Sequence, residues 1–415
     1  MPRPAKTRLA GAIAAIPMLA VCAAATSAQA QDASVINNQI QLGDLFSTQT
    51  LNVVEVDEGV GAETTATGNG VVAGADGVDL SITSNQTMAG SAQAVTTVNA
   101  TTSMGDSSQI NTTALGNTAD VSITQATVTG VLTQIATASP NVTAQGYVEA
   151  ETASAGDLGV ATTAISNSAS LTLTNGSAGV RFNQSSAADV LADGGAVVQY
   201  VSGTADVSGV AAGNSVALVG TETSAARIAV SQTNSSALVQ ASQFTAYGNA
   251  QTAYTTATAA GNTVGAANEG PLLDVASNQY NEAYVRAQAE SSAWQFGEGA
   301  ATAYAVGNAV LAGDTGEAVV LDNVQLNTGG GVEAIASFAG NEGYDGYSRA
   351  TAVGNDATAY SCSACTGSMT VSNAQTNGAD VGATSTTSVT AGRLINSTST
   401  AIGNNASFYV TRPGS

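Results

Sequence analysis

The sequence has no histidine, and its single lysine, Lys6, lies among the first eight residues. The commonest general base and the amine nucleophile are therefore missing from the remainder of the chain, which leaves only carboxylate chemistry for any catalysis. Aromatic residues make up 4% of the chain, with one tryptophan, and charged residues 9%. So few large side chains exclude an ordinary globular core. So few charges, beside so many β-branched residues, exclude the usual disordered composition. Past the N-terminus no apolar run is long enough to span a bilayer as a helix.

The N-terminus itself has the order of a secretory leader. Arg3, Lys6 and Arg8 precede an apolar run from Leu9 to Ala25, and Ala28-Gln29-Ala30 supplies a small-x-small cleavage pattern. Residues 1–30 read as a signal peptide, with a mature start at Gln31. Lipoprotein processing at Cys22 would require a small residue before it, and Val21 fits poorly. The leader takes three of the nine basic residues and none of the thirty acidic ones, so the mature chain carries a net charge of −24. Its bases are all arginine: Arg181, Arg227, Arg286, Arg349, Arg393 and Arg412. Nucleic acid is excluded as a partner for want of a cationic footprint, and anionic lipid is disfavoured for the same reason.

What the sequence does have is a repeat. A small residue followed by asparagine returns at Asn69, Asn117, Asn167, Asn214, Asn262, Asn308, Asn355 and Asn404, preceded by glycine everywhere except at Ser166. A glutamine keeps the same phase: Gln39, Gln86, Gln134, Gln184, Gln232, Gln279, Gln325 and Gln375. Two markers held in step over about eight units of roughly 47 residues define an internal repeat. Between them the chain alternates with period two, as in Val121-Ser-Ile-Thr-Gln125 and Met369-Thr-Val-Ser-Asn373. Alternating β-branched residues bounded by Gly, Asn and Asp predict strands, and the Gly-Asn steps, which tolerate positive φ, predict turns. The segment Glu282 to Glu290 has charges four apart, as in a helix, but its alternating Ala and Val predict a strand.

Short strands at a fixed period predict an all-β protein, a β-solenoid or β-helix. Each repeat has too thin an apolar face to fold alone, and stacking supplies a continuous core. Amides at equivalent positions can bond to one another up the stack, where acids would repel at a spacing of about 4.8 Å. Whether each repeat makes one coil or two stays open at this point. The expected organisation is a cap with a partial first repeat over residues 31–66, where Leu42, Leu45, Phe46 and Leu51 cluster. Repeats follow over 67–403, then a C-terminal tail over 404–415.

Candidate sites are few. Asp314 with Glu317, and Glu342 with Asp345, are the acid pairs that a polysaccharide-cleaving solenoid would use, but both sit among glycines where exposed acids are ordinary. Calcium would suit such turns, yet no repeated Asp-bearing loop is present. Cys362 and Cys365 form a Cys-x-x-Cys without histidine or a βαβ setting, which points to a local disulfide rather than to zinc or redox chemistry. No motif calls for a cofactor. Twelve of the eighteen aromatic residues lie between Phe244 and Tyr360. Tyr280, Tyr284, Trp294, Phe296, Tyr304, Tyr344 and Tyr347 are candidates for stacking on sugar rings, with packing on outward strand faces as the alternative.

The Ala-rich leader ending Ala28-Gln29-Ala30, the opening Val35-Ile-Asn-Asn-Gln-Ile-Gln-Leu42 and the acidic Ala/Thr/Asn repeat body together resemble the holdfast attachment protein HfaD family of stalked and budding alphaproteobacteria. The resemblance implies export to the outer-membrane surface of a Gram-negative cell, tethering of holdfast polysaccharide, and partnership with other holdfast anchor proteins. A looser similarity to curlin repeats is carried by Gln109, Gly116-Asn117, Ala119 and Gln125. The expected function is an extracellular structural or adhesive body and not an enzyme. Alternatives are a self-associating, amyloid-like or passenger-type adhesin, and a polysaccharide-cleaving β-helix enzyme.

Overall fold

The computed structural model describes residues 32–138, 141–362 and 367–411. The leader and the Cys362–Cys365 pairing lie outside the described residues. Among the described residues there are strands and no helix, and every strand pairs in parallel with the equivalent strand one repeat away. The protein is a β-solenoid in which one repeat makes one coil.

Each of the eight coils has three sides. In the first coil they are Ala33–Gln41, Leu45–Glu55 and Gly61–Asp76. The first sides of all eight coils form one eight-stranded sheet, and the second and third sides join in a sheet of twelve strands. From the fourth coil to the seventh the second and third sides run on as single strands, Asp189–Thr221, Leu238–Asn268, Tyr284–Asp314 and Val332–Cys362. The stretch from Tyr284 to Glu290 is strand, with Val285, Ala287 and Ala289 buried, so alternation prevails over the four-residue charge spacing.

The boundaries differ from those read in the sequence. Residues 33–41 pair along their whole length with Leu80–Met88, so the segment 31–66 holds the first two sides of a coil and the start of its third. Leu42 and Phe46, which suggest a cap in the sequence, point outward and are exposed. At the other end Leu394–Thr411 is one strand, paired in register with the preceding coil through Thr411, so residues 404–411 continue the solenoid.

The Gly-Asn steps also differ from expectation. They are not turns. Gly116 and Asn117 are both buried inside a single strand, and the inside–outside alternation slips by one there. None of these glycines has positive φ; what they supply is space. A Cβ on Gly261 would collide with Asn281 Oδ1 and lie 2.5 Å from the carbonyl oxygen of Gly307 in the next coil. The third repeat can use Ser166 because its neighbour is the smaller Ser186, to which it is hydrogen-bonded at 2.8 Å.

The slip divides the interior into two cores. On one side the first sheet packs on the residues after each asparagine, with Ile82, Leu132, Leu171, Phe182 and Leu218 wholly buried. On the other the second side packs on the residues before each glycine, and alanine and valine dominate. That tighter half also holds buried hydroxyls: Thr112 bonds to Thr96 and Thr96 to Thr64, each at 2.7 Å.

The amide ladders run between these halves. Asn69, Asn117, Asn167, Asn214, Asn262, Asn308, Asn355 and Asn404 form an unbroken chain, each Nδ2 donating to the Oδ1 of the next coil at 2.8–2.9 Å. The second N–H reaches across to a first-side carbonyl, as from Asn262 to Tyr280 O at 2.9 Å. The glutamines Gln39, Gln86, Gln134, Gln184, Gln232, Gln279, Gln325 and Gln375 form a second chain at 2.7–2.9 Å, donating in the opposite direction, from each coil to the one before. Their other N–H bonds the carbonyl after the asparagine, as from Gln232 to Thr263 O at 2.8 Å. Each internal amide thus uses both N–H groups and accepts at its oxygen, which is what burial of an amide requires. The opposed directions also offset the two columns' dipoles.

Candidate binding site

The outer surface is uneven where the second side passes into the third. Here the third, fourth and fifth coils do not match residue for residue, whereas the fifth, sixth and seventh stay in step. The register shifts between Val198 and Tyr200 and between Val201 and Thr204, and positions 248 and 294 are skipped in the pairing. Irregular backbone at this corner opens a groove of about 590 Å³ that crosses coils four to seven. Tyr200, Asn249, Gln295 and Glu342 follow one another along its floor, each in register with the next. Gln251 and Tyr344 complete its polar and aromatic walls. A second groove of about 440 Å³ lies across the same corner, and Trp294 borders it together with Ser292 and Asn341.

Several features hold this corner rigid. Phe296 turns inward, 5% exposed, and meets Phe338 edge-on with ring centroids 5.0 Å apart. The glycines around it make room: a Cβ on Gly340 would collide with the Phe296 ring. Tyr344, 63% exposed, is flanked by the Arg393 guanidinium at 5.7 Å from its ring centroid. Arg393 in turn pairs with Asp345, and that partnership holds the Asp345 carboxyl below the usual carboxylate range. An exposed aromatic ring is thereby fixed in place at the surface, beside the amides of the groove.

The structure disperses the seven aromatic residues singled out in the sequence. Trp294, Phe296 and Tyr344 meet at the corner, and of these Trp294 and Tyr344 are exposed. Tyr280 lies half-buried on the first side, beside Glu282. Tyr284 begins the second side, where it donates a hydrogen bond to Glu333, and burial with that carboxylate pushes its pKa up to about 12. Tyr304 is on the third side, and burial pushes its pKa up to about 12. Tyr347 is also on the third side, in register with Tyr254 and Ala300. Tyr200, 48% exposed, joins the corner from upstream of the aromatic-rich window, where aromatic density gives no sign of it.

The acid pairs are separated in role. Glu342 lines the groove while Asp345 is tied to Arg393. Asp314 is buried at a turn, where it accepts from Gly316 N–H at 2.7 Å, and burial raises its pKa. Among the described residues no group of three or more His, Cys, Asp or Glu side chains is placed to hold a metal ion.

A third amide chain is not evident in the sequence. Asn281 donates to Asn327 at 2.8 Å and Asn327 to Asn377 at 2.7 Å. These lie two residues after the ladder glutamines, a signal visible only once the coils are aligned. No curated protein and no solved structure matches the chain. The family model for holdfast attachment protein D matches residues 54–331, well over half of the 415 residues. The chain therefore belongs to the HfaD family, holdfast attachment protein D, which places its role in holdfast attachment at the bacterial cell surface.

Proposed function

We propose that this solenoid is a non-catalytic anchor at the outer membrane that holds holdfast polysaccharide along the corner groove. The observation that carries the reading is the run of Tyr200, Asn249, Gln295 and Glu342 along four successive coils, flanked by the exposed ring of Tyr344. Coils repeat at about 4.8 Å, comparable with one sugar unit, so an extended glycan laid along the axis would meet one side chain of the run at each step. Aromatic faces stack on the apolar faces of sugar rings, while amides and a carboxylate exchange hydrogen bonds with hydroxyls. Each contact is weak and the affinity comes from their number. A chain without histidine, and without lysine past its first eight residues, fits holding rather than cleaving.

Affinity electrophoresis of the purified mature chain in gels containing holdfast polysaccharide tests this. Wild type should be retarded, and a variant carrying Tyr200→Ala and Tyr344→Ala should lose about tenfold or more in affinity, which corresponds to ~1.4 kcal/mol. Equal retardation of the two would sink the groove assignment. Release of shortened glycan would instead favour the enzyme reading, with Glu342 the first residue to replace.

A further inference from the structure

The ladders do not close at the ends of the solenoid. Among the described residues no element covers the first coil or the last: Ala33–Gln41, Leu45–Glu55 and Gly61–Asp76 pair on one edge only, and so do Ser368–Asn377, Val381–Ala391 and Leu394–Thr411. The bonding direction makes the two open edges opposites. In the asparagine column every Nδ2 donates toward the C-terminal end, so Asn404 presents a donor outward and Asn69 an acceptor. In the glutamine column every Nε2 donates toward the N-terminal end, so Gln39 presents a donor and Gln375 an acceptor.

A third column sharpens the match. Asn37, Ser84, Leu132, Phe182, Val230, Ser277, Asn323 and Asn373 occupy equivalent positions, so the column is apolar in its middle and carries amides at its two ends. Asn323 donates to Asn373 and Asn37 donates to Ser84, which leaves a donor at Asn373 facing out and an acceptor at Asn37. Charge is distributed compatibly. Residues 32–79 hold eight acids and no base, whereas residues 368–411 hold one acid, Asp380, and one base, Arg393. An acidic edge meets a nearly neutral one in head-to-tail contact, while two first coils would repel.

We infer that a second copy of this chain stacks end to end, its first coil continuing the last coil of the copy before. The three columns then run on across the junction: Asn404 donates to Asn69, Gln39 to Gln375 and Asn373 to Asn37, and the three sides continue in parallel register. Such a contact is heterologous, so it propagates into a filament rather than stopping at a pair. It also covers parallel-sheet edges that would otherwise be left open. This inference is independent of the groove and of any glycan.

The test uses the mature chain. Asn404→Asp and Asn373→Asp keep the oxygens that accept from Asn355 and Asn323 and turn each outward donor into a charged acceptor, which would face the acceptors of Asn69 and Asn37. Sedimentation of the wild type should show mass rising with concentration, and the doubly substituted variant should need about tenfold or more protein for the same association. Register is tested separately by mixing an Ile40→Cys chain with a Thr376→Cys chain, positions exposed on the two end strands that the columns bring together. Disulfide-linked pairs should form in that mixture, and neither variant should link to itself at those positions. A wild type that stays monomeric, an unchanged doubly substituted variant, or links formed equally in all mixtures would each overturn the inference.

Discussion

The waist of each coil and its outer corner obey opposite rules. At the waist the asparagine and glutamine recur in every repeat, and every internal amide makes the same bonds. At the corner between second and third sides the same four coils offer Tyr200, Asn249, Gln295 and Glu342 at one equivalent position. A buried ladder amide tolerates no variation, because its loss leaves three partner groups unpaired away from water. An outward residue at this corner carries no such cost. Repetition therefore builds the rod, and the side chains vary from coil to coil where they face outward at the corner.

The sharpest way to break this comparison is to damage the interior at one of its largest side chains. Phe182 is wholly buried, and Phe182→Ala should cost about 3–5 kcal/mol. Urea titration should register it as a lower midpoint, with hydrogen exchange fastest in the coils next to residue 182, since a solenoid loses cooperativity locally. Asn262→Ala comes next. It strands the donor of Asn214, the acceptor of Asn308 and the carbonyl of Tyr280, and should cost about 2–4 kcal/mol. A cost near zero would mean that the ladder is decoration on a strand-paired stack.

Asp314 tests the interior from the other direction. Burial raises its pKa above the ordinary 3.8, so the fold favours the neutral carboxyl. With the folded value above the unfolded one, that contribution is complete below the unfolded value and is lost as pH rises through the folded value. Asp314→Asn should thus stabilise the protein at neutral pH by about 1 kcal/mol, and the gain should disappear in acid below the ordinary value. Thermal melts of both proteins at the two pH values give the comparison. The smallest effect belongs to the corner: Trp294→Ala, at a side chain 63% exposed, should change stability by no more than ~0.5 kcal/mol.

Much of the rod is legible in the sequence because a solenoid writes its geometry as a period. Asn69 through Asn404 and the glutamines in step with them are the ladders, and the alternation around them is the strands. The glycine before each asparagine suggests a turn because glycine answers two needs, positive φ and close approach, that look alike in sequence. Only the collision that a Cβ on Gly261 would make with Asn281 Oδ1 separates them. Leu42 and Phe46 suggest a cap because outward apolar residues on an end coil have no neighbour to identify their face. The corner is least legible. Trp294 and Tyr344 stand out by counting aromatics, but Tyr280 and Tyr304 share their window and not their face. Tyr200 joins them only through the register of four coils.

The central claim is that holdfast attachment depends on the irregular corner and not on the rod alone. The most direct measurement is made on cells whose only copy carries Tyr200→Ala, Trp294→Ala and Tyr344→Ala together, scoring labelled holdfast on the cells against holdfast shed into the medium. The account predicts shedding, with the altered protein present at the surface in normal amount and normally resistant to protease. Holdfast retained as in the parent strain, with the altered protein at the surface, would contradict it.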